Sequence, residues 1–210
     1  MILFEGDLGK LERRFRANFI NSLGGFKSVV LIGTKSAIGN ENLAIFSSLF
    51  HIGADPSLCG IVIRPNEEKQ NTLGNIMATK QYTINHILPD FYKQAHQSSA
   101  KYEEGKSEFE EVGLTPEYID SITAPFVKES KIKFACKLIQ KIDIQLNGTF
   151  IIIGEIIAVS APSNCVHEDG KIDLEQSETI TLSGLDTYHI TKQIARLSYA
   201  KTNKPVDEIH

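Results

Sequence analysis

The sequence predicts a mainly β protein, an antiparallel barrel with peripheral helices, and three observations predict it. Short β-like runs at 27–34, 42–50 and 58–65 are separated by the turn-rich segments "KSAIGNE" and "GADPS", the pattern of sequential antiparallel strands. The segment "KIKFACKLIQKIDIQLNGTFIIIGEIIAVSA" carries an apolar alternation on both sides of Asn147-Gly148, a dipeptide favoured in hairpin turns. The chain has 210 residues, 41% of them apolar, which suits a single domain over 1–210 with one core.

Taken in order, residues 10–22 have helical spacing, with Leu11, Phe15, Phe19 and Ile20 on one side and Arg13, Arg14 and Arg16 around the rest; Gly24 and Gly25 end it. After the three β-runs, "NTLGNIMATKQ" reads as a short helix with Thr72 as N-cap, followed by a strand over 82–87. Residues 90–125 lack β-like alternation and read as a polar, largely helical insertion outside the sheet. In the long hairpin a two-residue turn pairs Ile144 with Ile151, Ile142 with Ile153, Leu138 with Ile157 and Cys136 with Val159. That register sets Gln140 opposite Glu155, two polar groups on an apolar face. Unpaired there, each would cost about 1–3 kcal/mol, so they are either wet or mutually bonded near a bend, or face a ligand or a subunit. "HEDGKIDLE" reads as another hairpin, "YHITKQIARL" as a short helix, and 201–210 as a polar tail.

A net charge of −4 and a pI near 5.9 argue against nucleic acid as a partner, which usually shows as a clustered basic excess. The N-terminal stretch is interrupted by charge and lacks the pattern of a secretion signal, and no apolar run approaches the ~20 residues of a membrane span. The expectation is a soluble, cytoplasmic protein with no membrane contact. Three cysteines stand at spacings matching no zinc or dithiol motif; Cys59 and Cys136 read as buried thiols, and Cys165 as a loop residue without chemistry.

Familiar catalytic signatures are missing. "GTKSAIGNE" is not a phosphate loop, "GGFKS" and "GDLGK" do not make a dinucleotide fingerprint, and no Gly-x-Ser-x-Gly elbow or helical His pair occurs. His51 and His86, near strand ends, read as structural. What remains is a set of small hydroxyl and amide groups: Asn42, Ser47, Ser48, Thr72, Asn75, Asn85, Ser98 and Ser99. Neutral donors of this kind suit a ligand that needs many hydrogen bonds and brings its own reactivity. A helix starting at Thr72 would offer N–H groups to an anion, and ordinary capping explains Thr72 and Asn75 equally well.

In order and spacing, "NSLGGFKSVVLIGT", "NLAIFSSLFHIGADP", "IVIRPNEEKQNTLGNIMATKQYTINHI", "SSAKYEEGKSEFEEVGL", "FACKLIQKI…GTFIIIGEIIAV" and "GLDTYHITKQIARLSYAK" resemble the flavin reductase-like family of FMN-binding split β-barrel proteins, which includes flavoredoxins. The resemblance implies a six-stranded antiparallel Greek-key split barrel that forms a homodimer and holds FMN near the subunit interface. It implies that Asn42, Ala44, Ile45, Phe46, Ser47 and Ser48 lie along the flavin. Arg64, Thr72 and Asn75 would face its phosphate and ribityl chain, with Ser98, Ser99 and Lys101 on an adjoining loop. The implied activity is hydride transfer from NAD(P)H to bound FMN and onward passage of electrons to free flavin, iron or a partner protein. No side chain is assigned as a catalytic acid; His51, His189 and Tyr188 are candidates for the flavin edge. No basic cluster selecting a 2′-phosphate is legible. Two other readings share this pattern: a flavin-binding electron carrier without pyridine nucleotide turnover, and a barrel holding some other phosphorylated ligand. Adjacent serines in an apolar strand suit a flat heterocycle with a polar rim, because Ala44 admits the ligand to the backbone while the hydroxyls donate.

Overall fold

The computed structural model describes residues 2–65, 71–103 and 105–209. In chain order the elements are α1 (Glu5–Leu8), α2 (Arg13–Ser22), β1 (Lys27–Ser28), β2 (Val30–Lys35), β3 (Glu41–Phe46), β4 (Phe50–Ala54), β5 (Ser57–Ile63) and α3 (Asn71–Thr79). There follow β6 (Gln81–His86), α4 (Tyr92–Gln97), α5 (Glu108–Val112), β7 (Pro116–Glu117), β8 (Phe126–Val127), β9 (Lys133–Ile144), β10 (Thr149–Ser160), β11 (Thr181–Ser183) and β12 (Thr187–His189).

Among the described residues the strands form a seven-stranded sheet in the order β3-β2-β6-β9-β10-β5-β4, every pairing antiparallel, with small sheets β1-β11-β12 and β7-β8 beside it. This corrects the expected six-stranded Greek-key barrel: β3 and β4 end the order at opposite edges and do not pair, so the barrel is not closed. Laid flat, seven strands at ~4.8 Å spacing would span about 29 Å. Phe46 and Phe50, at the two edges, are separated by only Ser47, Ser48 and Leu49. That length of chain reaches at most about 14 Å, so the sheet must curl.

The predicted strand 42–50 is accordingly two strands. β3 pairs with β2 up to Phe46↔Val30, and β4 takes up pairing with β5 at Phe50↔Gly60. Between them Ser48 Oγ donates to Val62 O at 2.9 Å and accepts from Val62 N at 3.1 Å, so a side chain stands where a backbone pair would continue the ladder.

The curled sheet is buried on both faces. Val30, Ile32, Ile61, Ile76, Tyr82, Ile84 and Ile152 fill its interior. Leu31 and Leu43 face outward and are covered by Ile87, Phe91, Ala95, Phe109 and Leu182. The insertion at 90–125 therefore covers the sheet, and it is less helical than predicted, its described residues holding only α4, α5 and β7.

The long hairpin also differs from the predicted register. A four-residue loop, Gln145–Gly148, closes on Ile144↔Thr149, because Gly148 takes a left-handed conformation (φ 71°) and donates to Ile144 O at 2.9 Å. Ile142 thus pairs with Ile151, and Gln140 with Ile153, while Glu155 faces Lys137. Irregularities between Ile153 and Gly154 and between Ile156 and Ala158 leave Ile139 and Ile157 as extra residues on opposite strands.

Four smaller expectations change. The helix at 10–22 starts at Arg13, with the Glu12 carboxylate accepting from Arg14 N and Phe15 N, and buries none of its residues. Thr72 is not an N-cap but the second residue of α3. "YHITKQIARL" contains no helix: Tyr188 pairs with Leu182 in β12, and 190–196 is irregular. Cys165 lies buried in a short 3₁₀ turn. No described helix is long and apolar enough to cross a membrane.

Candidate functional site

The curl leaves a cleft of about 1220 Å³ along the outer edge of β3. β3 pairs with β2 on one side only, and on the other Leu43 N donates to Glu108 Oε2 at 3.1 Å. Because backbone N–H groups alternate along a strand, Ile45 directs its N–H and C=O to the same open side. The cleft therefore has a strip of backbone donors and acceptors along one wall.

Eleven of the sequence-predicted site residues line it: Asn42, Ala44, Ile45, Phe46, Ser47, Ser48, Arg64, Thr72, Ser98, Ser99 and Lys101. They do not present equivalent groups. Ser47 Oγ has no hydrogen-bond partner among the described residues, whereas Ser48 is committed to Val62. Ser98 Oγ donates to Ala95 O at 2.8 Å and Ser99 Oγ to His96 O at 2.7 Å, both finishing α4. Asn42 Nδ2 donates to Thr34 Oγ1 at 3.2 Å and Thr72 Oγ1 at 3.1 Å, a buried polar floor.

Asn75 is the exception. It does not line the cleft; its Nδ2 donates to Thr34 Oγ1 at 3.1 Å, so it supports the floor from behind. Asn85 is further removed, buried with its amide donating to Leu31 O and Thr83 Oγ1 while its carbonyl accepts from Val127 N. His86 is bonded to Thr179 Oγ1 at 3.1 Å, and burial lowers its pKa to about 4. Of the flavin-edge candidates, Tyr188 lines the cleft while His51 and His189 do not. Tyr188 Oη is 2.8 Å from His96 Nδ1, and burial, then Asp186, raises its pKa to about 12.

Several cleft residues were not legible in the sequence. Ile20 and Asn21 of α2, Lys27 of β1 and Glu108 of α5 reach the cleft only through tertiary packing. Phe26, Leu49 and Phe50 join the predicted Phe46 in the apolar wall. Lys27 Nζ donates to Gly184 O at 2.7 Å, and its pKa lies below the ordinary lysine value because of burial and then the charge of Arg64. No group of His, Cys, Asp and Glu side chains among the described residues could hold a metal ion.

Among solved structures, a split barrel domain protein of the flavin reductase type from Shewanella frigidimarina NCIMB 400 is 50% identical and superimposes with a TM-score of 0.92, covering 95% of this chain and 100% of that one. The flavoredoxin of Desulfovibrio vulgaris (Miyazaki F), 20% identical with a TM-score of 0.70 over 85% of this chain and 92% of its own, shares the fold. An uncharacterized protein of Bacillus subtilis (strain 168), YwrF, is 24% identical over 181 residues, 83% of each chain. A model of the flavin reductase like domain matches residues 23–175, and the chain belongs to that family.

Proposed function

We propose that the protein is an FMN-dependent oxidoreductase that accepts hydride from NAD(P)H and passes electrons to free flavin, iron or a partner protein. Family membership gives the coarser statement, a flavin oxidoreductase. One observation carries the choice of ligand: in one cleft an open strand edge, a Ser47 hydroxyl with no partner among the described residues and the Arg64 guanidinium, held by the neutral Asn21 amide, lie beside apolar wall. Those are the requirements of a flat heterocycle with a polar rim and an anionic tail.

On this reading the β3 edge at Ile45 bonds the rim, Ala44 admits the ring system to the backbone, and Ser47 donates from the end of the strand. Arg64 and Thr72 serve the ribityl phosphate, with Asn42 and Asn75 holding Thr72 and Thr34 in place. Ser98, Ser99 and Lys101 border the opposite wall. The flavin supplies the redox chemistry; the protein's part is to bind, orient and shield. A homodimer is part of the proposal, because residues 190–199 carry apolar side chains into solvent, Ile194 at 100% and Tyr199 at 90% exposure. On this reading a second copy of the chain covers that surface.

The test is an absorption spectrum of the protein as isolated or after reconstitution with FMN. A flavin band that bleaches on anaerobic addition of NADH or NADPH supports the proposal. A band that ignores both nucleotides but is reduced through a protein donor favours electron carriage, and failure to bind any flavin overturns both.

A further inference from the structure

The interior of the curled sheet holds two thiols that the reading above does not use. Tyr82 of β6, Cys136 of β9 and Cys59 of β5 form a row on its inner face: Tyr82 pairs with Cys136, and Cys59 pairs with Gly154 of β10, the strand that separates the two cysteines. Because Gly154 has no side chain, β10 puts nothing between the sulfurs, and Cys59 Sγ and Cys136 Sγ approach to 3.6 Å. The phenol reaches the same point, since a Cβ at Gly154 would lie 2.1 Å from Tyr82 Oη and 3.0 Å from Cys136 Cβ. All three side chains are buried, and Tyr82 Oη has no hydrogen-bond partner among the described residues. An unpaired buried hydroxyl is costly, so one directed at two sulfurs calls for an acceptor that they can supply.

The two thiols are not equivalent. The hydrogen bond from Cys136 holds the Cys59 thiol below its ordinary pKa, while the same bond, then burial, pushes Cys136 up, so Cys59 is the first to ionise. Cys59 also lies one strand in from the edge, where the β4–β5 ladder slips between His51 and Gly53. An edge strand with a slipped ladder opens locally more easily than the core and admits a water-sized reagent. We infer that Cys59 and Cys136 are a peroxide-reactive dithiol, in which Cys59 is oxidised, Tyr82 bonds the oxygen it gains, and Cys136 displaces that oxygen to close a reversible disulfide. In the first step Cys59 Sγ attacks a hydroperoxide and the O–O bond breaks. One oxygen stays on sulfur as a sulfenic acid, and the other leaves with a proton as water or alcohol. The sulfenic oxygen is the acceptor that the Tyr82 hydroxyl lacks. In the second step Cys136 Sγ attacks the sulfenic sulfur, the S–S bond forms, and the S–O bond breaks as hydroxide takes up the thiol proton to give water. The dithiol has then lost two electrons and two protons, and the peroxide has gained both. The sulfurs must close from 3.6 Å to about 2.05 Å. The β9–β10 ladder is irregular on both sides of this point, between Ile153 and Gly154 and between Ile156 and Ala158, so the strands can shift there without breaking regular pairing. Half-cystines on strands that are not neighbours make a strained bond, easily reduced again by a dithiol.

The experiment treats the folded, full-length protein with hydrogen peroxide, then unfolds it in the presence of an alkylating agent and maps the peptides by mass spectrometry. The expected product is a peptide linking Cys59 to Cys136, lighter by two hydrogens than the reduced pair and restored to free thiols by dithiothreitol. Cys165, buried with no second thiol beside it, serves as the internal reference and stays alkylatable. In Cys136→Ser, or Cys136→Ala should the serine variant not fold, the reaction stops at a Cys59 sulfenic acid that dimedone traps. Tyr82→Phe slows that trapping by about fivefold, the worth of one hydrogen bond. Cys59 and Cys136 that both remain alkylatable after peroxide overturn the inference, as does a disulfide that forms only once urea has unfolded the chain or that pairs either cysteine with Cys165. A sulfenic acid that appears on Cys136 first, or a folded Tyr82→Phe variant that reacts at the unaltered rate, overturns the roles assigned.

Discussion

Ser48 and Val62 are joined twice: the serine hydroxyl donates to the valine carbonyl at 2.9 Å and accepts from its N–H at 3.1 Å. The neighbouring Ser47 hydroxyl bonds no described residue. Ser48→Ala should therefore destabilise the protein by about 1–2 kcal/mol, leaving two backbone groups of β5 unpaired. Ser47→Ala should change stability by less than about 0.5 kcal/mol and weaken FMN binding. Urea unfolding and flavin titration of both variants check this; indistinguishable behaviour in both assays would refute the division of labour.

Ala44 lies on the cleft wall in the middle of β3. Ala44→Leu should fill the space in front of the strand edge and abolish flavin binding without loss of the fold. Circular dichroism paired with flavin fluorescence reads both, and a folded variant with full FMN affinity would count against β3 as the binding wall.

Gly154 lies where a Cβ would stand 2.1 Å from Tyr82 Oη and 3.0 Å from Cys136 Cβ. Tyr82 is wholly buried, and Cys59 and Cys136 approach each other to 3.6 Å beside it. Gly154→Ala should cost about 1–3 kcal/mol through overpacking, read as a lowered denaturation midpoint. Tyr82→Phe in the same background should restore part of the loss, since it removes the oxygen that the methyl group meets.

The lowered pKa of His86 fixes a sign. Burial holds the imidazole near pKa 4, below the ordinary value of 6.5. Between those values the unfolded chain binds a proton that the folded protein does not, so stability falls as pH drops from about 6.5 to about 4, by on the order of 2 kcal/mol. His86→Gln should flatten that slope in chemical denaturation curves taken across the interval.

Much of the architecture was legible because period-two patterns and turn dipeptides report local geometry directly. β2, β5, β6 and the β9–β10 hairpin all appear where alternation predicts them. The hairpin's register was not legible, because Asn-Gly also occupies the last two positions of the four-residue loop seen here. The supposed helix at "YHITKQIARL" failed for another reason: Tyr188↔Leu182 pairing and the His96–Tyr188 bond give 187–189 tertiary partners that outweigh local propensity. The paired serines were read as ligand donors, and the structure commits one of them to changing the strand's partner. Lys27 was invisible as a cleft residue, since only the folded chain brings β1 to the cleft wall.

The unpaired flank of β3 has a further consequence. Edge strands invite other strands, and here just one of the outward N–H groups, that of Leu43, is covered by the Glu108 carboxylate. The atoms that would receive a ligand are thus also those on which a second molecule could begin to polymerise. A bound heterocycle would act as a solubility guard, and stripped preparations should cloud sooner than loaded ones on storage.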